Sequence, residues 1–468
     1  MQQAELEIPS LDLIRRYGVT GPRFTSYPTA LSFDEGIGDD AFREAVADSN
    51  DRLMPAPLTL YVHLPFCRTL CYYCGCHKKI TRNAELVEDY VKALIREIAT
   101  KSELVDRDRV VRGVHWGGGT PTYLSRDQRR IIMAALSDHF PLASDSARDF
   151  SVEIDPRTIE VDDLASLRGL GFNRVSFGVQ DFDPDVQRAV NRVQPYRVVA
   201  EHMERARTLG FRSISIDLIY GLPLQTQASF ATTIDQAIDL RPDALSVFNY
   251  AHLPARFPAQ RLIREEDLPD AATRIGMFRD TVERLRDAGY EYIGMDHFAL
   301  PMSDLARARR EGNLHRCFQG YASGADSETL AFGVSGISNI GDGYFQVEKS
   351  LPSYIRRVRN GNPAIARGYV TTPEDRRVAD VIQSIMCYGS CDTRAWSARF
   401  DSEFDDFFAD DLVRLSGLVD DGLVVRKPGR IDVTPVGWVF LRTVASCFDR
   451  TRHGAQPVAD ARAYSTAV

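Results

Sequence analysis

The sequence predicts an α/β protein whose parallel strands close into a full or partial barrel, and three observations predict it. First, apolar runs of strand length alternate with helical patterns from Leu58 to about His297. Strands spaced by helices in this way imply parallel βαβ units. Second, the runs read as apolar throughout, as strands covered on both faces should be. Third, polar and small residues recur at or just past the C-terminal ends of successive runs: Cys67, Gly117 to Thr120, Glu153, Gln180, Asp217 and Ala251. In a barrel those ends converge on one mouth. One site touching many strands favours a barrel over an open doubly wound sheet.

The elements follow in order. Residues 1–55 read as an arm, irregular except for a helical pattern around Leu11–Tyr17, and Gly21–Ala30 within it is rich in turn formers. Leu58–Leu64, bounded by prolines, is the first strand. A cysteine loop follows directly, and then Leu86, Tyr90, Val91, Leu94 and Ile98 recur at helical spacing. The next strand, Val110–Trp116, ends in Gly117-Gly118-Gly119-Thr120-Pro121, and Ser125 with Gln128 forms a capping box for the helix after it. Strand and helix pairs continue: Phe150–Ile154 with Val161–Leu170, Asn173–Val179 with Arg197–Leu209, Ser213–Ile219 with Ser229–Leu240, and Leu245–Tyr250 with Ala271–Ala288. Tyr292–His297 is one more candidate strand. Residues 56–300 are therefore expected to be the barrel. Residues 301–371, glycine-rich at 312–321 and 333–341, are expected to be connecting loops over the site. Thr372-Pro373 starts a helix, more helical segments run to about Leu418, and Gly422–Val433 reads as a hairpin turning at Pro428-Gly429. Residues 372–468 thus read as a mainly helical, winged-helix-like domain. Acidic residues crowd Asp401–Asp411, which favours a lid or packing role over DNA binding.

A chain of 468 residues suffices for two or three domains, or for one large domain with an appendage. Its net charge of -8 argues against general nucleic-acid or anionic-membrane binding and leaves room for a local basic pocket. Eight cysteines are too few and too scattered for a disulfide framework, and Cys317, Cys387, Cys391 and Cys447 read as small buried apolar residues. No signal-peptide pattern and no bilayer-length apolar run is visible, so a cytoplasmic protein with no membrane partner is expected; separately, a monomer is expected.

The strongest motif is the C-x3-C-x2-C-x-C run Cys67, Cys71, Cys74 and Cys76. Thiolates hold iron–sulfur clusters, and three of them can hold three corners of a cubane, leaving one iron open. Zinc sites usually combine two short ligand pairs across a longer spacer, whereas these four cysteines share one loop. An electron-transfer site would need a nearby fourth ligand at ferredoxin spacing, which is missing. The Gly117 to Pro121 turn could cradle a phosphate, yet it lacks both the P-loop Lys-Ser/Thr and the G-x-G-x-x-G pattern. Glu153 is either a site acid or a capping or surface acid. Asp217 sits in an apolar run, so it must be paired or face a polar cavity, where ribose hydroxyls or an ammonium group would satisfy it. Arg192 either forks onto a carboxylate or forms a surface ion pair. His63 and His77 flank the loop as proton donors or as structural histidines.

The cysteine spacing resembles the radical S-adenosylmethionine superfamily. From about Tyr17 to its end the chain resembles, within that superfamily, the oxygen-independent coproporphyrinogen III oxidase family. The resemblance is carried by Gly21–Ala30, Tyr61–Arg82, His115–Leu124, Gly178–Gln194, Ser215–Thr226, Leu245–Pro254, Gly294–Ala299 and Gly312–Tyr321. The arm and Asn191-Arg192-Val193-Gln194 are its most particular parts; Tyr73 stands where the family often has Phe. The resemblance implies a partial (β/α)6 TIM-like barrel. It implies that Cys67, Cys71 and Cys74 ligate a [4Fe-4S] cluster and that Cys76 is required without being a ligand. Tyr61, Tyr73, Gly118, Glu153 and Ile337 would contact one S-adenosylmethionine. Gly119, Thr120, Gln180, Arg192, Asp217 and Ala251 would contact a second. The implied reaction turns two propionates of coproporphyrinogen III into vinyl groups by radical hydrogen abstraction, giving protoporphyrinogen IX. It would draw electrons from a low-potential donor such as flavodoxin or ferredoxin. Because the substrate carries four carboxylates, Arg23 is expected near the mouth. The rivals are a haem chaperone related to these enzymes, and a radical methyltransferase or haem-degrading enzyme. Chaperones of that kind generally lack the arm and the Asn191-Arg192-x-Gln194 pattern.

Overall fold

The computed structural model describes residues 6–18, 21–144, 148–324 and 327–453. The arm contains α1 (Leu11–Tyr17) and also α2 (Asp39–Asn50), where irregular chain was expected. In α2 only Phe42, Val46 and Ser49 are buried, and Gly38 occupies the N-cap without a side-chain bond. The apolar stripe is thus narrow and the usual start signal is missing.

Six βα units follow: β1 (Leu58–Leu64) with α3 (Ala84–Ser102), β2 (Val111–Gly118) with α4 (Arg126–His139), and β3 (Asp149–Ile154) with α5 (Asp163–Gly169). Then come β4 (Arg174–Gln180) with α6 (Tyr196–Thr208), β5 (Ser213–Tyr220) with α7 (Gln227–Asp239), and β6 (Ala244–Asn249) with α8 (Ala271–Asp287). Each strand pairs in parallel with the next, from β1 to β6. This is the expected (β/α)6 partial barrel.

The sheet continues past both ends of the barrel. β7 (Glu291–Gly294) and β8 (His297–Ala299) form an antiparallel hairpin that adds β8 to β6. The single strand expected over Tyr292–His297 is broken at Met295, which takes a left-handed φ of 50°. On the other side β9 (Glu328–Phe332) joins β1 in parallel, and β10 (Ile337–Ile340), β11 (Gly343–Val347) and β12 (Ile365–Val370) add antiparallel. Twelve strands result, in the order β12-β11-β10-β9-β1-β2-β3-β4-β5-β6-β8-β7. Residues 301–371 therefore carry strands and helices and are not merely the connecting loops expected. Their strands are short, and glycines at left-handed turns such as Gly333 and Gly341 interrupt the pattern that would reveal them.

A second expectation also fails. The barrel strands are not apolar on both faces: buried and half-buried residues alternate along β3, β4 and β5. Val152, Ile154, Val175, Phe177, Ile216 and Leu218 belong to the main core. The residues between them, Ser151, Glu153, Ser176, Gly178, Ser215 and Asp217, line a cavity. An inner face that surrounds a cavity can stay polar, because it is not covered by apolar neighbours.

Beyond α9 (Leu351–Arg359), α10 (Pro373–Tyr388) begins the C-terminal region with a Thr372–Asp375 capping box. The strands Val424–Lys427 and Arg430–Val433 form the expected hairpin, with Ser390–Asp392 as its third strand. This region has its own core, including Ile382, Trp396, Phe408 and Ile431, and Ile14, Phe24 and Tyr27 of the arm are part of it. Residues 454–468 lie outside the described residues. Among the described residues no helix is long and apolar enough to cross a membrane.

Candidate active site

One cavity of about 1000 Å³ occupies the barrel. The cysteine loop stands at its wall. A two-residue strand, Phe66–Cys67, pairs in parallel with Lys79–Ile80, so the loop between them is pinned at both ends. Cys67, Cys71, Cys74 and Cys76 all line the cavity and all are free thiols. Cys67 Sγ lies 3.3 Å from Thr120 Oγ1. Burial pushes the Cys67 thiol up to about 11. A hydrogen bond with Cys76, acting against burial and helped by the Lys78 ammonium, brings Cys74 down to about 6. Cys71 Sγ accepts from Arg157 Nη2 at 3.3 Å and from Arg192 Nη1 at 3.6 Å. The same two guanidinium groups clasp Asp155, at 2.7 and 3.0 Å. Burial opposes ionisation of Asp155, but Arg192 and Arg157 together hold it below its ordinary range.

The glycine turn after β2 packs against the strand that feeds this loop. Gly119 N donates to Leu64 O at 2.9 Å, and a Cβ on Gly119 would stand 2.5 Å from the Pro65 carbonyl oxygen. Gly118 takes a φ of +112°, and a Cβ there would meet the His63 ring at 2.7 Å. Both positions exclude a side chain for physical reasons. His63 itself is buried, with Nε2 2.9 Å from the His77 carbonyl and Nδ1 3.0 Å from the Tyr61 hydroxyl. A carbonyl only accepts, so Nε2 carries the proton and Nδ1 accepts from Tyr61. Burial lowers His63 to about 4. Its contacts make it a neutral structural histidine.

Two carboxyl groups face the cavity from β3 and β5, on either side of β4. Glu153 accepts from Gly118 N at 3.3 Å and lies 3.3 Å from His115 Nε2. Burial pushes it up, but His115 and Gly118 outweigh that and hold it below the ordinary range. His115 stacks on Tyr61 at 5.7 Å. Asp217 accepts from Ser176 Oγ at 3.2 Å, and burial raises it to about 6, with Glu153 adding repulsion.

Of the residues predicted from sequence, the cysteines, Tyr73, Gly118 to Thr120, Glu153, Gln180, Arg192, Asp217, Ala251 and Arg23 line the one cavity. Gln260 ties two of them together, donating from Nε2 to the carbonyls of Tyr73 and Ala251 at 3.0 and 3.1 Å. Tyr61 and Ile337 are not among the lining residues; Tyr61 stands behind His115, and Ile337 lies on β10. Arg23 is half-buried and pairs with Asp296, its guanidinium 5.4 Å above the Phe248 ring. Sequence reasoning missed His115, Asp155, Arg157 and Gln260. The first three were within reach: Ser151, Glu153, Asp155 and Arg157 follow one another at the strand period of two, and His115 and Gly117 do the same on β2.

Three thiols of one pinned loop open into one cavity, and two cationic donors converge on the Cys71 sulfur. That arrangement suits a ligating thiolate and hence a cluster held at three corners. Among the described residues no group of three or more His, Cys, Asp or Glu converges closely enough for a single metal ion; sulfurs on separate irons of a cubane need no such convergence. The buried carboxyls of Glu153 and Asp217, next to a side-chain-free turn, suit a cationic ligand bearing hydroxyls.

Comparison with known proteins agrees with this chemistry. Residues 61–237 match the radical SAM superfamily. The oxygen-independent coproporphyrinogen III oxidase of Salmonella typhimurium is 47% identical over 439 residues, which is 94% of each chain. The Helicobacter pylori protein of the same name is 36% identical over 441 residues, 94% of this chain and 96% of its own. The solved coproporphyrinogen III oxidase of Escherichia coli, described as a radical SAM enzyme, superposes with a TM-score of 0.89 at 45% identity. The match covers 95% of this chain and 99% of that one.

Proposed function

The chain belongs to the oxygen-independent coproporphyrinogen III oxidase family of radical SAM enzymes, and from that premise we propose which of its residues carry each part of the reaction. It is an oxidoreductase of porphyrin biosynthesis that oxidises coproporphyrinogen III without oxygen. The cavity-facing trio Cys67, Cys71 and Cys74 is the observation that carries the assignment of roles. A [4Fe-4S] cluster held by these three thiolates, together with S-adenosylmethionine, would supply the one-electron radical chemistry that removes a hydrogen atom from the propionate β-carbon. Loss of CO2, with one electron passing to a one-electron acceptor, then leaves a vinyl group; two such events give protoporphyrinogen IX.

The protein positions and shields. Arg157 and Arg192 stabilise the Cys71 thiolate through Nη2 and Nη1. Thr120 does the same at Cys67. Gly118 and Glu153 would meet the amino group of the first S-adenosylmethionine, with Glu153 as its counter-charge. Tyr73 stacks on the adenine. Gln180, Arg192, Asp217 and Ala251, with Gly119 and Thr120, form the place for a second S-adenosylmethionine. Asp217, which ionises at about 6, would accept hydrogen bonds from ribose hydroxyls. Cys76, hydrogen-bonded to Cys74, adjusts that thiol without replacing it as ligand. A low-potential donor of flavodoxin or ferredoxin type would supply the electrons, and a cytoplasmic monomer is the expected working form.

Anaerobic reconstitution with iron and sulfide, followed by assay with coproporphyrinogen III, S-adenosylmethionine and a reductant, tests this reading. Wild-type protein is expected to form protoporphyrinogen IX. Cys71→Ser is expected to lose both the cluster absorbance and the product. A Cys71→Ser protein that still makes vinyl groups overturns the assignment.

A further inference from the structure

Arg316 is the cationic group whose pairing the reading above leaves unexplained. It lies on the strand Leu314–Cys317, which pairs with Gly320–Ser323. Its side chain lines the cavity, yet the residue is only 3% exposed. Nε donates to the Arg23 carbonyl at 2.7 Å, and the guanidinium stacks 4.7 Å above the Tyr321 ring. Nη1 has no hydrogen-bond partner. Among the described residues no carboxylate lies within ion-pair distance of it.

The surroundings make this costly. Arg23, Arg316 and Arg442 are electrostatic neighbours, and Asp296 is the carboxylate that acts on both Arg316 and Arg442. Asp296 is already engaged by Arg23. A guanidinium does not escape by losing its proton, and a buried charge without a partner is strongly unfavourable. On β8, His297 is 8% exposed, and its Nδ1 is also without a partner. Its ring meets the same Tyr321 edge-on at 5.2 Å, and it too lines the cavity. The spot therefore offers a planar two-pronged cation and a neighbouring ring nitrogen, and it lacks an anion. A carboxylate on a flexible chain matches that set of donors in charge and in shape.

We propose that Arg316, with His297 beside it, seats one propionate carboxylate of coproporphyrinogen III. This rests on the substrate reading above and deepens it. The seated propionate is one that is not reacting at that moment. A carboxylate gripped by a guanidinium fork is stabilised as an anion, whereas the reacting one must shed its charge into CO2. Holding a non-reacting arm fixes the macrocycle and so aims one β-carbon. Arg23, whose charge Asp296 already answers, is the weaker anchor of the two.

The test is anaerobic equilibrium dialysis of coproporphyrinogen III, and separately of its tetramethyl ester, against cluster-loaded wild-type, R316Q and R316K protein. Retained porphyrinogen is oxidised and read by fluorescence. R316Q is expected to bind the acid about tenfold to a hundredfold more weakly, the loss of one charge-assisted pair. It is also expected to discriminate less between acid and ester than wild type does, a change that general loosening of the fold does not produce. In turnover KM is expected to rise by a similar factor, and kcat to fall as well, because the β-carbon is no longer held in place. R316Q that loads its cluster and binds the acid as wild type does overturns the proposal. If R316Q fails to load its cluster, R316K decides: weaker binding with a reduced ester penalty supports the proposal, and wild-type behaviour overturns it. Wild-type protein that does not bind coproporphyrinogen III would sink the substrate reading itself and this inference with it. Normal wild-type binding with normal R316Q binding removes Arg316 alone.

Discussion

At the scale of single residues, the site keeps groups that the empty fold would rather be without. Asp217 is the clearest. Its carboxyl ionises at about 6 in the folded protein against 3.8 ordinarily, because burial opposes the charge. The folded state therefore holds that proton more tightly between those values. The cost of ionisation is fully present above about pH 6 and absent below 3.8. Asp217→Asn is expected to raise the Tm of ligand-free protein at pH 8, with the gain shrinking as the pH falls toward 4. It is also expected to weaken S-adenosylmethionine binding. Thermal scans across that range check the first claim, and a gain that did not shrink toward acid would contradict it. Gly119 is constrained by space instead. A methyl group there meets the Pro65 carbonyl, which is backbone and leads straight into Cys67. Gly119→Ala is expected to displace the cysteine loop, and iron and sulfide content after reconstitution is expected to fall well below one cluster per chain.

At the scale of elements, α3 shows how a helix can bury charge in order to hold a strand. Glu97 and Lys101, one turn apart, are both fully buried and 2.7 Å from each other. Lys101 Nζ donates to the Ala331 carbonyl on β9 at 2.7 Å, and Glu97 accepts from Gly333 N and from the Tyr354 hydroxyl of α9, both at 2.7 Å. The pair thus ties α3 to the strand that extends the barrel past β1 and to the helix covering it. Glu97→Ala leaves a buried ammonium without its carboxylate and is expected to cost about 3–5 kcal/mol in urea unfolding. Replacing both residues with Leu and Met is expected to cost less than the single change. A double variant less stable than Glu97→Ala would overturn that account. Helices were the legible elements. Ser125 with Gln128 and Thr372 with Asp375 cap where the sequence predicted, because a capping box is a local signal. α2 and β9 to β12 were not legible. α2 has no N-cap side chain, and the four strands are short and punctuated by glycine turns. The pairing of β9 with β1 is a long-range fact that no local pattern encodes.

At the scale of the whole molecule, the arm and the C-terminal region meet beside the cavity, and this explains what the sequence could and could not show of the site. The inner wall was legible in its chemistry: Glu153 and Asp217 stood out as acids at strand ends, and the period of two would have added His115, Asp155 and Arg157. Residues 301–371 and Arg23 were expected near the site, but the place of Arg316 in it was hidden, since Arg316 and Arg23 become neighbours only through tertiary packing. That packing is specific. Phe24 and Tyr27 of the arm are buried in the C-terminal core. Thr443 Oγ1 donates to the Tyr17 carbonyl at 2.9 Å, and Arg450 N donates to the Tyr27 hydroxyl at 3.1 Å. Arg442 donates from Nε to the Pro22 carbonyl at 3.1 Å and from Nη2 to the Gly21 carbonyl. It thereby fixes the two residues that precede Arg23. Burial and the nearby Arg23 bring the Arg442 guanidinium down to about 9. Removing it relieves that repulsion, but it also strands two carbonyls at roughly 1–3 kcal/mol for each buried group left unsatisfied. The lost bonds outweigh the relief, and the arm loosens. Arg442→Met is therefore expected to raise KM for coproporphyrinogen III several-fold, while cluster absorbance and S-adenosylmethionine binding, which do not depend on the arm, stay at wild-type values. A variant that loses its cluster in step with its affinity would mean that the C-terminal region supports the barrel as a whole and not the arm in particular.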